Sequence, residues 1–162
     1  MVWLRPCSLE DPVECAKLVD LALGEFGRLD VVFNLAGRAR SGELGIVRDE
    51  DGDAARRGEV GLIFYLTRAA WPHLKASRGV VVNMAWWNGQ LSFKNIVSLW
   101  HTTNKAGILG MTRQLAVEGS VDGIRVNSIS PEVANVALFL SCDESSCITG
   151  IDVVVDGGMK AW

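Results

Sequence analysis

The chain has 162 residues, of which 49% are apolar and 22% charged, with 17 Gly and 4 Pro. At roughly 100–200 residues per domain, that length predicts a single domain over 1–162 with no room for a second substrate domain, and the composition excludes disordered and collagen-like classes. Lys and Arg number 16 against 19 Asp and Glu, a formal charge of −3, and no basic run exceeds Arg56-Arg57, so nucleic acid is not an expected partner.

No segment reaches the ~20 apolar residues of a membrane span, and the run from Met1 to Pro6 lacks a charged region followed by an apolar one. The expected compartment is the cytoplasm, with no membrane partner. Cys7, Cys15, Cys142 and Cys147 lack Cys-x-x-Cys spacing, so no metal site is expected and the thiols read as free and buried.

In chain order, Asp11-Pro12 supplies a cap followed by proline at the first helical position. Val13, Ala16, Val19, Leu23 and Phe26 then recur at spacings of three and four up to the stop at Gly27. Asp30 to Asn34 is a short apolar run of the kind buried on both faces of a parallel sheet. A helix is predicted from about Asp53 to Leu74, a strand over Val80 to Met84 and a long helix from Lys105 to Glu118. A strand over Arg125 to Ile129, a helix from Pro131 to about Ser141 and a strand over Asp152 to Val155 complete the pattern. Alternation of strand and helix implies right-handed crossovers and a parallel sheet flanked by helices, the α/β class.

Several segments carry a more specific likeness. The run from Phe26 to Gly37, ending Asn34-Leu35-Ala36-Gly37, resembles the strand and turn of the short-chain dehydrogenase/reductase family, whose motif there is Asn-Asn-Ala-Gly. The runs Leu66 to Pro72, Gly79 to Met84, Lys105 to Arg113, Gly123 to Pro131 and Ile148 to Gly158 resemble further family segments in the family's order, so the resemblance covers nearly the whole chain. It implies a truncated Rossmann-like sheet and a nicotinamide-dependent oxidoreductase acting on a ketone or secondary alcohol.

The family seats NAD or NADP on an N-terminal Thr-Gly-x-x-x-Gly-x-Gly turn, whose glycines let backbone amides and a helix N-terminus reach the pyrophosphate. These 162 residues contain no such turn, and the likeness starts at the family's third strand, near Val2-Trp3-Leu4. Gly107 and Gly110 fall on a predicted helix and read as packing glycines. Pro131-Glu132 passes directly into a helix where the family inserts a substrate-covering loop, so the lid that would exclude water is expected to be missing.

The family's chemistry uses a tyrosine as acid and base, with a lysine one helical turn later that lowers the tyrosine's pKa and holds the nicotinamide ribose. The matching residues are His101 and Lys105, which form the candidate catalytic pair. Histidine transfers protons near neutral pH. The family's serine has no counterpart at Ala85-Trp86, and Glu59 stands where a relay asparagine would align. Ser8, where the family often reads adenine with aspartate, together with Asn34, Ala36, Gly37, Lys105 and Pro131, are the candidate cofactor contacts. Trp86 and Trp87 fit stacking on a flat ligand, an interface or plain packing, and Tyr65 reads as packing.

In the family's strand order, 3-2-1-4-5-6-7, loss of the first strands would leave Asp30 to Asn34 at an edge, and Val2 to Leu4 is expected to move beside it. The helices around 53–74 and 105–118 form the main subunit contact in many family members, so a homodimer or higher homo-oligomer is expected, with a small-molecule substrate. Two further readings stand beside the oxidoreductase. One is a non-catalytic oligomerisation or binding module of the same fold. The other is cofactor-free proton chemistry by His101 and Glu59, whose separation the sequence leaves open.

Overall fold

The computed structural model describes residues 7–40, 42–92, 94, 97–130 and 134–158. Val2 to Leu4 and Pro131 lie outside these residues, so the expected move of Val2 to Leu4 and the contact at Pro131 are not addressed by it.

Helix α1 (Pro12–Phe26) begins where Asp11 accepts a hydrogen bond from the Val13 amide at 2.8 Å, with proline in the first turn. It stops at Gly27, whose φ of 73° is open to glycine at little cost and whose amide donates to Leu23 O at 2.8 Å. Strand β1 (Val31–Asn34) follows. The single helix expected over 53–74 is three joined segments: α2 (Asp49–Arg56), a π-helical turn (Arg57–Gly61) and α3 (Leu62–Ser77). Strand β2 (Val80–Met84) matches the expected bounds, and a 3₁₀ turn (Trp87–Gly89) leads to α4 (Leu99–Ser120), which starts six residues earlier than the apolar spacing indicated. Strand β3 (Arg125–Ser130), α5 (Ala134–Ser141), a 3₁₀ turn (Asp143–Ser145) and β4 (Asp152–Val154) follow.

The four strands lie in the order β1-β2-β3-β4, all parallel. The register pairs Val32 with Val81 and Val81 with Val126, so one row of valines runs across the face that α3 and α4 cover. Leu74, Ala70, Ala116 and Ile124 fill the space above that row, and α1 adds Val19 from outside. Side chains alternate across a strand, so Val80, Val82 and Ile129 face the opposite side, where Ala137 and Leu140 of α5 meet them. Each large apolar side chain buried in these layers contributes about 1.5–3 kcal/mol.

Strand β1 corrects one expectation. It is buried on one face only, because α5 sits over β2 and β3 and leaves Val31 and Phe33 38% and 40% exposed. The thiols correct another. All four cysteines are free, but only Cys15 is buried; Cys7 and Cys147 are exposed and Cys142 is half-buried.

Polar side chains tie the layers at the C-terminal half of the sheet. Asn34 Nδ2 donates to Asn83 Oδ1 at 2.8 Å and Thr67 Oγ1 at 3.1 Å, and Asn83 Nδ2 donates to Thr112 Oγ1 at 2.9 Å. This buried ladder joins β1 and β2 to both covering helices. Asp152 of β4 accepts from Ser128 Oγ at 2.7 Å, Ser130 Oγ at 2.8 Å and Gln90 Nε2.

Candidate active site

A cleft of about 450 Å³ opens beyond the C-terminal ends of β1 and β2, the end at which open parallel sheets bind ligands. Leu35, Gly37 and Ala39 line it from the loop after β1, Met84 and Trp86 from the end of β2, Glu59 from the π-helical turn, and His101 and Lys105 from α4.

Glu59 is 2% exposed, and a carboxylate so buried requires partners. Both of its oxygens have one. His101 Nδ1 lies 2.5 Å from Oε1, and Asn104 Nδ2 donates to Oε2 at 2.9 Å. His101 and Asn104 are three residues apart on α4 and so share a face. An ionised carboxylate only accepts, so Nδ1 is the donor of this pair, and Nε2 is the ring nitrogen with no hydrogen-bond partner among the described residues. His101 retains 14% side-chain exposure, and the Trp86 ring stands 6.3 Å from the imidazole, centroid to centroid.

One turn further along α4, Lys105 is 8% exposed and its Nζ donates to Met84 O at 2.9 Å. That bond uses one of the three donors of an ammonium group. Burial pushes the Lys105 amine below the ordinary lysine range, and the Glu59 carboxylate pulls it back in part.

The remaining sequence-derived positions divide. Gly37 lines the cleft beside Leu35, with Ala36 between them in the chain. Asn34 is 3% exposed, its Nδ2 is committed to the sheet ladder and its Oδ1 is buried without a hydrogen-bond partner, so the residue stands next to the cleft lining in the chain but is not part of it. Ser8 is exposed ahead of α1, where its carbonyl accepts from the Asp11 amide at 3.1 Å. Ala85 is fully buried and Ser92 is exposed on the loop after the Trp87–Gly89 turn. Gly107 and Gly110 lie within α4. Tyr65 packs edge-on to Phe64 at 5.7 Å, on α3 and away from the cleft lining.

Sequence reasoning missed Asn104 and left the Glu59–His101 separation open. The available signal was an acidic residue bracketed by glycines, Gly58-Glu59-Val60-Gly61, ahead of an apolar helix, and an asparagine three residues after His101.

The residues fit one half of a nicotinamide dinucleotide. A buried amine with unused donors beside an open glycine-edged cleft suits a ribose and ring. Among the described residues, the glycines of positive φ are Gly27, Gly123, Gly150, Gly157 and Gly158, and none of them precedes a described helix as a pyrophosphate turn would.

Comparison with known proteins bears on the same region. A family model described as enoyl-(acyl carrier protein) reductase matches residues 2–133. The chain is 29% identical over 185 positions to a 3-oxoacyl-[acyl-carrier-protein] reductase of Thermotoga maritima, covering 94% of this chain and 74% of that protein. It is 32% identical over 173 positions to a trans-4-hydroxycyclohexanecarboxylate dehydrogenase of Sinomonas cyclohexanicum, covering 88% and 65%. A crystal structure of a short chain dehydrogenase from Mycobacterium smegmatis superposes with TM-score 0.85 at 28% identity, over 93% of this chain and 68% of that one. A short-chain type dehydrogenase/reductase from Mycobacterium marinum shares the fold at TM-score 0.89 and 24% identity, over 94% and 72%. The chain belongs to the short-chain dehydrogenase/reductase family. Its alignment with the Thermotoga reductase sets 94% of 162 residues, about 152, against 185 positions, so some 33 positions within the alignment have no residue here.

Proposed function

We propose that this protein is a nicotinamide-dependent oxidoreductase of the short-chain type that interconverts a ketone and a secondary alcohol in the cytoplasm, with His101 in the proton-transfer position. One observation carries the reading: His101 and Lys105 open from one face of α4 into the same cleft, and His101 is anchored through Nδ1 to the buried Glu59 at 2.5 Å.

The nicotinamide, when bound, supplies or accepts the hydride. The chain's own residues handle the proton. Nε2 of His101 takes the hydroxyl proton of an alcohol in the oxidative direction, and the resulting imidazolium is held by Glu59. In the reductive direction the imidazolium returns the proton to the carbonyl oxygen. Glu59 acts through His101, fixing the ring's tautomer and orientation, with Asn104 steadying the carboxylate from its other oxygen. Lys105 directs its free donors at the ribose hydroxyls. Gly37 and Ala36 edge the nicotinamide side, and Pro131 and Ser8 complete the proposed contacts.

Titration of NADH and NADPH followed by tryptophan fluorescence, with turnover of secondary alcohols measured alongside, tests this. His101→Gln is expected to lower kcat/KM by about 100-fold or more while leaving cofactor affinity within a few-fold. Absence of binding at millimolar NADH and NADPH would retire the reading in favour of a non-catalytic module of the same fold.

The groove between α3 and α4 favours a second copy of this chain as partner. Phe64, Trp71, Met111 and Leu115 line about 260 Å³ there, and Phe64 is 47% exposed. We place the homodimer contact on this face.

A further inference from the structure

A tyrosine in the acid/base position is protonated at neutral pH and must be persuaded to give its proton up. A histidine there offers a basic ring nitrogen when its other nitrogen is held as a donor. We propose that the cleft catalyses a second reaction requiring no nicotinamide: exchange of a proton on the carbon next to a ketone carbonyl, with His101 as base and Lys105 as the cation facing the carbonyl oxygen. This rests on the reading of the cleft as a carbonyl site.

The two groups such a reaction needs are both present. Nδ1 of His101 is occupied by Glu59 at 2.5 Å, so Nε2 is the basic nitrogen at the cleft, and the imidazolium formed on proton uptake has a buried counter-charge already in contact. Lys105, one turn along the same helix, spends a single donor on Met84 O. In the forward step the lone pair of Nε2 takes the α-proton. The C–H electron pair becomes the C=C bond of the enolate, and the C=O π pair moves onto oxygen, where the Lys105 ammonium donates a hydrogen bond. The proton now on Nε2 exchanges with solvent, which His101 reaches through its 14% exposed side chain, and transfer of a solvent-derived proton from Nε2 to carbon restores the ketone. No electrons leave the substrate, so no oxidant or reductant takes part. The remaining walls, Leu35, Ala39, Met84 and Trp86, are apolar. They favour a flat apolar ketone against the indole, and in such surroundings the attraction between ammonium and enolate oxygen is stronger than in water.

The test uses the full chain, stripped of nucleotide with charcoal, in deuterated buffer with acetophenone, and follows loss of the ketone's methyl proton signal by NMR. Wild-type protein is expected to raise exchange above the buffer rate, saturably in ketone. His101→Gln and Lys105→Met are each expected to lose most of that increment, about 100-fold for His101→Gln. Carbethoxylation of the folded wild-type protein by diethylpyrocarbonate gives a readout that depends on no variant folding. The chain has 2 histidines, modification is assigned by peptide mass, and exchange should vanish as His101 is modified. Exchange no faster than buffer, or persisting with His101 fully modified, overturns the proposal. Because no nicotinamide is present, exchange without alcohol oxidation would sink only the oxidoreductase reading, and oxidation without exchange only this one.

Discussion

At the scale of single residues, the cleft is organised by charged groups largely withdrawn from water. Lys105 carries the clearest consequence. Burial lowers its folded-state pKa, while the unfolded chain keeps the ordinary value of 10.5. Between those two values the unfolded state binds more protons, so stability rises with pH through the window. Below the folded value the destabilisation is present in full. Replacing the amine by an apolar side chain of similar volume removes this dependence. Thermal melts of wild type and Lys105→Met at steps from pH 7 to 10.5 should therefore show the wild type gaining on the variant as pH rises; a constant difference would mean that the amine is not desolvated. The His101–Lys105 spacing was readable because residues four apart on a helix always share a face. The Glu59–His101 contact was not, because 42 residues separate them and only packing brings them together.

At the scale of elements, the π-helical turn Arg57–Gly61 is the feature that apolar periodicity did not reveal. A wide turn inside an otherwise α-helical run changes the rotational phase of whatever follows it. Here it presents Glu59 to α4 while α3 keeps Ile63, Ala70 and Leu74 on the core. The Trp87–Gly89 turn is held equally closely to α4. A Cβ at Gly89 would lie 2.7 Å from Lys105 C and 2.8 Å from Ala106 N, both backbone atoms that cannot swing aside. Gly89→Ala is expected to cost about 1–3 kcal/mol in a urea melt, the usual range for overpacking. The same shift moves Trp86 and Lys105 apart, so activity should fall by more than the lost stability explains. Strand β1 gives the converse lesson. Its apolar run Val31-Val32-Phe33 read as a strand buried on both faces, yet a strand's sequence does not say which of its faces a helix will cover.

At the scale of the whole molecule, the four described strands lie parallel in the order β1-β2-β3-β4. Exposed apolar residues occur on α1, β1, α3, α4 and α5. Phe64, Val117 and Val121 stand 47%, 69% and 87% exposed on α3, α4 and the residue after α4. If a second copy covers the α3/α4 groove, sedimentation velocity should find a dimer at micromolar protein, and Phe64→Lys, which buries an unpaired charge in that contact, should yield a monomer. A wild-type monomer would show that the groove is not used this way.

The α/β class, the order of the elements, the family and the His101–Lys105 pair were all written in local patterns of the chain, because helix caps, strand runs and helical spacing act over a few residues. Which helix covers which face of β1, how the Asn34–Asn83–Thr112 ladder closes and that Glu59 meets His101 were decided by tertiary structure. Those contacts join segments tens of residues apart, and their geometry exists only once the sheet and its covering helices have packed.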